Sequence, residues 1–170
     1  SAHRGARATR DRVHAARSPR IPPAVYASRR RDFARQGNPM NPNTQADFGK
    51  LLLRLTLGVV VLFHGIAKLR GGIGGIESMV VAHGLPSWLA YGVFAGEVLA
   101  PILVLVGFYA RLGGALIAVN MLFAIFLAHM GDLTDFNGQG GWAIELQAML
   151  LASGAALALL GPGGYSANGR

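Results

Sequence analysis

The sequence lacks cysteine altogether, and it has few charged side chains for its length. The absence of cysteine from 170 residues excludes disulfides, thiolate nucleophiles and any zinc or iron–sulfur site built on thiolates. Charged residues make up 14% of the chain, against about 25% in an average soluble domain. Hydrophobic residues make up 52%. This composition excludes an ordinary soluble enzyme.

The few charges are distributed unevenly along the chain. Residues 1–39 contain ten arginines and two aspartates, which gives this segment a net charge of +8. Residues 40–170 contain six basic and six acidic side chains, so the net charge of +8 comes entirely from the first segment. The chain therefore consists of an arginine-rich N-terminal segment and a neutral, very apolar body.

The N-terminal segment, residues 1–39, has four prolines and no periodic hydrophobic residues, so we predict that it is disordered. It also lacks the apolar run of about 7–15 residues that a secretory signal needs. Met40 opens a stretch that looks like a natural protein start, which predicts an over-extended reading frame upstream. The alternatives are a polybasic arm on anionic lipid and a nucleic-acid-binding segment. We expect no nucleic-acid partner, because few aromatic residues lie among the arginines.

The body contains four apolar stretches, each close to the length of about 20 residues that a membrane-spanning helix requires. They cover approximately residues 51–69, 88–108, 112–130 and 142–160. A candidate short interfacial helix at residues 76–82 follows the first stretch, and a polar loop precedes the fourth. Short connections make successive helices antiparallel neighbours. We therefore predict an all-α membrane protein built as an antiparallel four-helix transmembrane bundle, embedded in the lipid bilayer.

Basic residues beside the spans predict the orientation of this bundle. Lys50, Arg54 and Arg111 lie at the end that carries both termini, whereas the third connection has two aspartates and no basic residue. The distribution predicts that both termini are cytoplasmic. Lys68 and Arg70, at the far end of the first span, are the opposing signal.

Small residues at spacings of four allow membrane helices to approach closely. Such pairs are Gly92 with Gly96, Gly114 with Ala118, and Gly154 with Ala158. We predict that they pack within the chain, with a homo-oligomer contact as the alternative.

Every span also carries polar side chains, which are costly in a bilayer and usually face the bundle interior. The candidate binding residues are His64, Lys68, Glu97, Asn120, His129 and Glu145, of which the first three are also the catalytic candidates. His64 and Lys68 are four apart and share one helical face. Glu97 lies deeper in the spans than the other acidic residues. Pro101, four residues later, has no N–H to donate to the backbone carbonyl of Glu97. In an antiparallel bundle these groups, apart from Asn120 near the midplane, share the outer half, the half away from the termini, which predicts a common polar site.

Simpler interpretations exist for the other candidates. Lys68 can extend to the headgroups, His64 can be a core histidine, and His129 can lie at the interface. Glu145 can stabilise the N-terminus of its own helix. Neither glutamate is followed by a histidine three residues later, as in di-iron bundles, so we predict no metal site.

The order and spacing of several segments resemble the DoxX family of small bacterial inner-membrane proteins. The segments are HGxxKL at residues 64–69, GLP at 84–86, the glycine-flanked Glu97, the G-F-x-x-R turn from Gly107 to Arg111, and GPGGYS at 161–166. The likeness covers residues 49–166 and excludes residues 1–39. It implies a four-span bundle in the bacterial inner membrane. Members and relatives are linked to quinone-coupled oxidation of thiosulfate and to redox complexes with soluble partners, so the resemblance implies a redox role.

Two classes of function follow. The first is a subunit of a membrane redox system that offers a quinone, or another small molecule, a site in the outer half of the bundle. His64, Lys68, Glu97 and His129 would supply hydrogen bonds and protons. The phenylalanines that could line an apolar slot are Phe63, Phe94, Phe123 and Phe126. The sequence has no flavin fingerprint or haem ligation motif, so this class expects a soluble or membrane redox partner. The alternative is a non-enzymatic scaffold or small-molecule carrier that uses the same polar cluster structurally.

Overall fold

The computed structural model of the protein describes Pro22 and residues 41–167. Apart from Pro22, the predictions for residues 1–39 lie outside the described residues. Residues 41–167 form five helices and no strand, with one isolated β-bridge between Phe136 and Trp142. The helices are α1 (Pro42–Gly71), α2 (Gly74–Ala82), α3 (Ser87–Val106), α4 (Ala110–Ala128) and α5 (Glu145–Leu160).

A capping signal, rather than hydrophobicity, determines where α1 begins. The side-chain oxygen of Asn41 accepts a hydrogen bond from the N–H of Asn43 at 3.1 Å. Pro42 follows at the first helical position, where a missing N–H costs nothing. The helix therefore starts well before the apolar stretch that predicted it, and it ends at Gly71, followed by Gly72 with a φ of 82°.

The backbone of α3 is irregular where its polar residue lies. The helix begins as a 3₁₀ helix at Ser87–Tyr91 and contains a π-helical turn at Ala95–Leu99. In this turn the N–H of Ala100 donates to the carbonyl of Ala95, five residues back. Pro101, which has no N–H, follows directly. The disturbance that the sequence predicts at Glu97 therefore takes the form of a π turn.

Neighbouring long helices contact each other in reverse residue order. The facing pairs are Gly58 with Leu105, Gly65 with Glu97, Gly113 with Val104, Gly114 with Ala158, and Gly154 with Ala118. Glycine permits these close approaches: a Cβ atom on Gly114, for example, would lie 2.7 Å from the carbonyl oxygen of Gly154. These small residues pack within the chain.

The largest buried cluster lies where α1, α3, α4 and α5 meet. Its members are Leu57, Val61, Ala100, Val104, Ile117, Met121, Leu150 and Leu157. A second cluster, containing Ile73, Val80 and Ala90, joins α2 to the start of α3. Many large apolar side chains remain exposed on the outside, including Phe63 at 67% and Leu159 at 78%. An apolar exterior around an apolar core is typical of helices that contact lipid.

Within residues 41–167, three helices are long and apolar enough to cross a membrane, and they lie at Asn43–Gly71, Ser87–Val106 and Ala110–Ala128. The fourth apolar helix, α5, has 16 residues and reaches about 24 Å at about 1.5 Å per residue, which is less than a hydrocarbon core of about 30 Å. It starts at Glu145, later than predicted, because the indole N–H of Trp142 donates to the carbonyl of Leu133 at 2.8 Å and holds Trp142 in the loop. The described residues form a helical membrane protein.

Candidate functional site

A cavity of about 440 Å³ lies among the helices at the end of the bundle that carries α2. This volume is within the range of about 300–1,000 Å³ that is usual for small-molecule sites. Its walls are mostly apolar. Its polar lining residues are His64, Lys68, Glu97, Asn120, His129 and Gln147. The structure thus brings five of the six predicted site residues to one cavity.

Glu97 forms the buried polar centre of this cavity. Its side chain is almost fully buried, with 2% of the residue exposed. Its oxygen Oε1 accepts hydrogen bonds from the Lys68 ammonium, with which it forms an ion pair, and from Nδ2 of Asn120 at 3.1 Å. Lys68 comes from α1 and Asn120 from α4, so a single carboxylate oxygen joins three helices. The ion pair and the amide offset part of the cost of burying the charge.

The other oxygen of this carboxylate, Oε2, is buried and has no hydrogen-bond partner among residues 41–167. An unpartnered buried polar atom costs about 1–3 kcal/mol, and a charged one costs more. The Oε2 atom of Glu97 is therefore a strong acceptor for an O–H or N–H group of a molecule bound in the cavity.

Two glycines determine how closely the neighbouring helices approach Glu97. A Cβ atom on Gly65 would lie 2.7 Å from the carbonyl carbon of Glu97, so α1 reaches the π turn only because residue 65 has no side chain. A Cβ atom on Gly96 would lie 2.5 Å from Cγ of Asn120. The Asn120 amide therefore has room to reach Glu97 because residue 96 is glycine.

The two histidines of the cavity have different hydrogen bonds. Nδ1 of His64 donates to the carbonyl of Val60, one turn earlier in α1, at 2.9 Å. Nδ1 of His129 donates to the Asp132 carboxylate at 2.9 Å, and its Nε2 accepts from the Gln147 amide at 3.0 Å. His129 is therefore held at both ring nitrogens, whereas His64 is held at one.

Glu145, the sixth predicted residue, does not line the cavity. It is exposed at the start of α5, where a Cβ atom on Gly141 would lie 2.5 Å from its Oε2. A carboxylate is favourable in the first turn of a helix, which is the simpler interpretation that the sequence offered. Gln147 lines the cavity instead. Gln147 lies three residues before the buried Leu150 and seven before the buried Gly154. This helical spacing places it on the inward face of α5 and was the signal that could have identified it.

At the opposite end of the bundle, Arg54 has a structural role that the sequence analysis missed. Its side chain is buried, with 1% of the residue exposed. Nε donates to the carbonyl of Val104 at 2.9 Å and Nη2 to that of Leu105 at 3.1 Å, both in the last turn of α3. Nη1 donates to the carbonyls of Pro162 at 3.1 Å and Tyr165 at 2.7 Å. Arg54 thus connects α1, the end of α3 and the segment after α5.

A metal site in this protein would need several histidine, aspartate or glutamate side chains close together. Within residues 41–167, no group of three histidine, aspartate or glutamate side chains is placed to hold one. The cavity is therefore described by hydrogen-bonding groups and apolar walls.

Comparisons with known proteins cover the same part of the chain. The family model described as DoxX matches residues 49–130, which include His64, Lys68, Glu97, Asn120 and His129. The chain is also 33% identical over 119 residues to a Bacillus subtilis (strain 168) protein named "Putative oxidoreductase CatD". That match covers 70% of this chain and 84% of the relative. No solved structure gives a significant match.

Proposed function

Because the chain belongs to the DoxX family, we propose that it is a membrane subunit of a redox system and binds a quinone in its cavity. The observation that carries this proposal is the buried carboxylate of Glu97, whose Oε2 atom is an unused acceptor in the wall of a mostly apolar cavity of about 440 Å³.

The chemistry of the cavity suits a quinone ring. The apolar walls match the ring, and the Lys68 ammonium and the Asn120 amide are hydrogen-bond donors for its oxygen atoms. An unpartnered carboxylate oxygen attracts a hydroxyl hydrogen and repels a carbonyl oxygen. The site therefore favours the reduced form, a hydroquinone, over the quinone. Oxidation of the hydroquinone releases two protons and two electrons. Glu97 is placed to accept one proton and Nε2 of His64 the other, and the two electrons pass to a redox group on a partner protein.

We further propose that the bundle crosses the bacterial inner membrane four times, with both termini in the cytoplasm. The reverse-order contacts between helices support alternating directions. The short α5 is compatible with a crossing because Arg111 donates to the carbonyls of Ala158 at 3.2 Å and Leu159 at 2.9 Å, which satisfies the end of the helix. In this orientation the cavity lies in the outer half of the bundle.

Ligand binding to the purified protein tests the proposed function. Reduced menadione, a naphthoquinol without a long chain, should raise the melting temperature of the wild-type protein, because a ligand that binds only the folded state stabilises it. Glu97→Gln should weaken binding of the reduced form about tenfold, equivalent to about 1.4 kcal/mol and to the loss of one good hydrogen bond. The same variant should still bind oxidised menadione, because the glutamine amide donates to a carbonyl.

The matched control is Glu145→Gln, which makes the same chemical change at an exposed position outside the cavity. It should bind both forms as the wild type does. If neither form stabilises the wild-type protein, the quinone proposal is wrong, and the scaffold or carrier remains.

A further inference from the structure

We propose that Gly92 forms one side of a lateral opening between α3 and α4, through which an apolar chain on the ligand leaves the cavity and enters the bilayer. This inference rests on the proposed function and specifies its ligand class: a ring compound that carries a long apolar chain.

Gly92 lines the cavity, yet neither its backbone nor its packing requires a glycine. Its φ of −57° and ψ of −23° are ordinary right-handed helical values that any residue adopts. A Cβ atom added to Gly92 would meet no heavy atom of the described residues within 4 Å. Gly96, one turn later, packs directly against Asn120. Of the Gly92 and Gly96 pair that the sequence suggested as a packing motif, Gly96 therefore brings α3 into close contact with α4, whereas Gly92 leaves space between them.

Residues on both helices continue this gap to the molecular surface. Ala95 lies three residues after Gly92 on α3, and Val119 and Phe123 lie four apart on α4. All of them line the cavity, and all are exposed on the outside; Val119 is 51% exposed and Phe123 is 49% exposed. Exposed residues that line the cavity border an opening, and among those that the structure describes Gly92 is the one with no side chain and with open space around it. Because α3 and α4 run in reverse order with Gly96 opposite Asn120, Gly92 lies near the level of Phe123.

The composition and depth of this mouth determine what can pass through it. Glycine, alanine, valine and phenylalanine offer no polar side-chain group, so the passing segment gains only from apolar contact. Gly92 is five residues after the start of α3. Because this first part is a 3₁₀ helix, Gly92 lies about 10 Å inside the helix end at about 2.0 Å per residue. The mouth therefore opens within the apolar part of the spans. A ligand whose ring binds near Glu97 can keep its chain in lipid through this opening.

Two ligands with the same ring test the opening. Reduced menadione has no long chain, whereas reduced phylloquinone carries a long isoprenoid chain. Gly92→Phe fills the mouth from α3 and should weaken reduced phylloquinone about tenfold or more while leaving reduced menadione within about twofold, as measured by ligand-induced shifts in melting temperature in nanodiscs. Val119→Trp narrows the mouth from α4 and should act in the same direction, which gives an independent result if the first variant folds poorly.

The control is Gly49→Phe in α1, a helical glycine that also has open space around it and does not line the cavity. It should bind both ligands normally. Wild-type affinity of both mouth variants for reduced phylloquinone overturns the inference, and so does an equal loss for the two ligands, which indicates damage to the ring site. If wild-type protein binds neither ligand, the proposed function itself fails, and the inference fails with it.

Discussion

At the scale of single residues, the two oxygens of Glu97 have separate tasks. Oε1 carries the contacts that hold the bundle together, from Lys68 and Asn120, while Oε2 carries none among the described residues. A side chain that used both oxygens for structure would have nothing left for a ligand. This division leaves one oxygen of the buried acid available for the ligand that we propose.

Gly96→Ala tests whether the Asn120 contact depends on a missing side chain. The new Cβ would lie 2.5 Å from Cγ of Asn120, so the amide must move away from Glu97. We expect the free energy of unfolding to fall by about 1–3 kcal/mol, as for a buried polar group that loses its partner, measured by thermal unfolding in detergent.

Gly92→Ala is the matched control, because it makes the same change one turn away in open space. It should be neutral or stabilising by about 0.5–1 kcal/mol, the usual helical advantage of alanine over glycine. Equal destabilisation by the two substitutions would show that the space at Gly96 is unimportant.

The sequence was sufficient to select Glu97 and Lys68, because an ionisable group in a bilayer is expensive wherever it points. It was not sufficient for Gln147, since a neutral amide near a helix start costs little there and does not indicate a site. Nor could it predict that Asn120 reaches Glu97, because that contact depends on the exact distance between two helices at Gly96.

At the scale of the helices, arginines at one end of the bundle satisfy carbonyl groups that helix ends leave free. Arg54 bonds to the last turn of α3, and Arg111 bonds to the last turn of α5. Each cation also lies at the negative end of a helix dipole. The short connection between α3 and α4 and the segment after α5 can therefore be tight without leaving these carbonyls unpaired.

Arg54→Met should destabilise the protein by about 3 kcal/mol or more, because it removes several charge-assisted hydrogen bonds worth about 1.5–3 kcal/mol each. Arg111→Met, at an exposed position with bonds to two carbonyls, should cost less. Reversible unfolding in mixed detergent compares the two variants. Similar losses in both would contradict the claim that burial distinguishes the two arginines.

The boundaries of the helices were predictable to different degrees. Apolar runs placed α3 and α4 to within a few residues of their observed ends. The start of α5 was placed too early, because Trp142 reads as apolar in a sequence although its indole N–H bonds to the loop carbonyl of Leu133. The π turn in α3 was predicted only as a disturbance near Pro101, since a sequence shows a missing donor and not the geometry that accommodates it.

At the scale of the whole molecule, polar groups are separated along the bundle axis. The end with Arg54 and Arg111 is bound together by guanidinium–carbonyl contacts, whereas the end with α2 contains the cavity and its carboxylate. The exterior between them is largely apolar. One end is therefore cross-linked by hydrogen bonds, and the other contains the cavity in which we propose that a ligand binds.

Reporter fusions test the orientation of this arrangement. Alkaline phosphatase, which is active only outside the cytoplasm, should be inactive when fused after Arg170 and active when inserted at Gly138, in the loop before α5. Green fluorescent protein at the same two sites should give the opposite pattern. These patterns are expected because basic residues favour the cytoplasmic side. Phosphatase activity at Arg170 with none at Gly138 would show that the topology is the reverse of the one proposed.

The contacts of Arg54 also impose an order on biosynthesis. Arg54 belongs to α1, which leaves the ribosome before the other described helices, but two of its acceptors, the carbonyls of Pro162 and Tyr165, are translated 108 and 111 residues later. Until those residues emerge, the Arg54 guanidinium in α1 lacks these two acceptors. It must then form hydrogen bonds with other polar groups, such as water or lipid phosphate. The segment after α5 therefore completes the environment of a side chain in α1, so a chain that stops before residue 162 lacks two of the four carbonyl acceptors of Arg54.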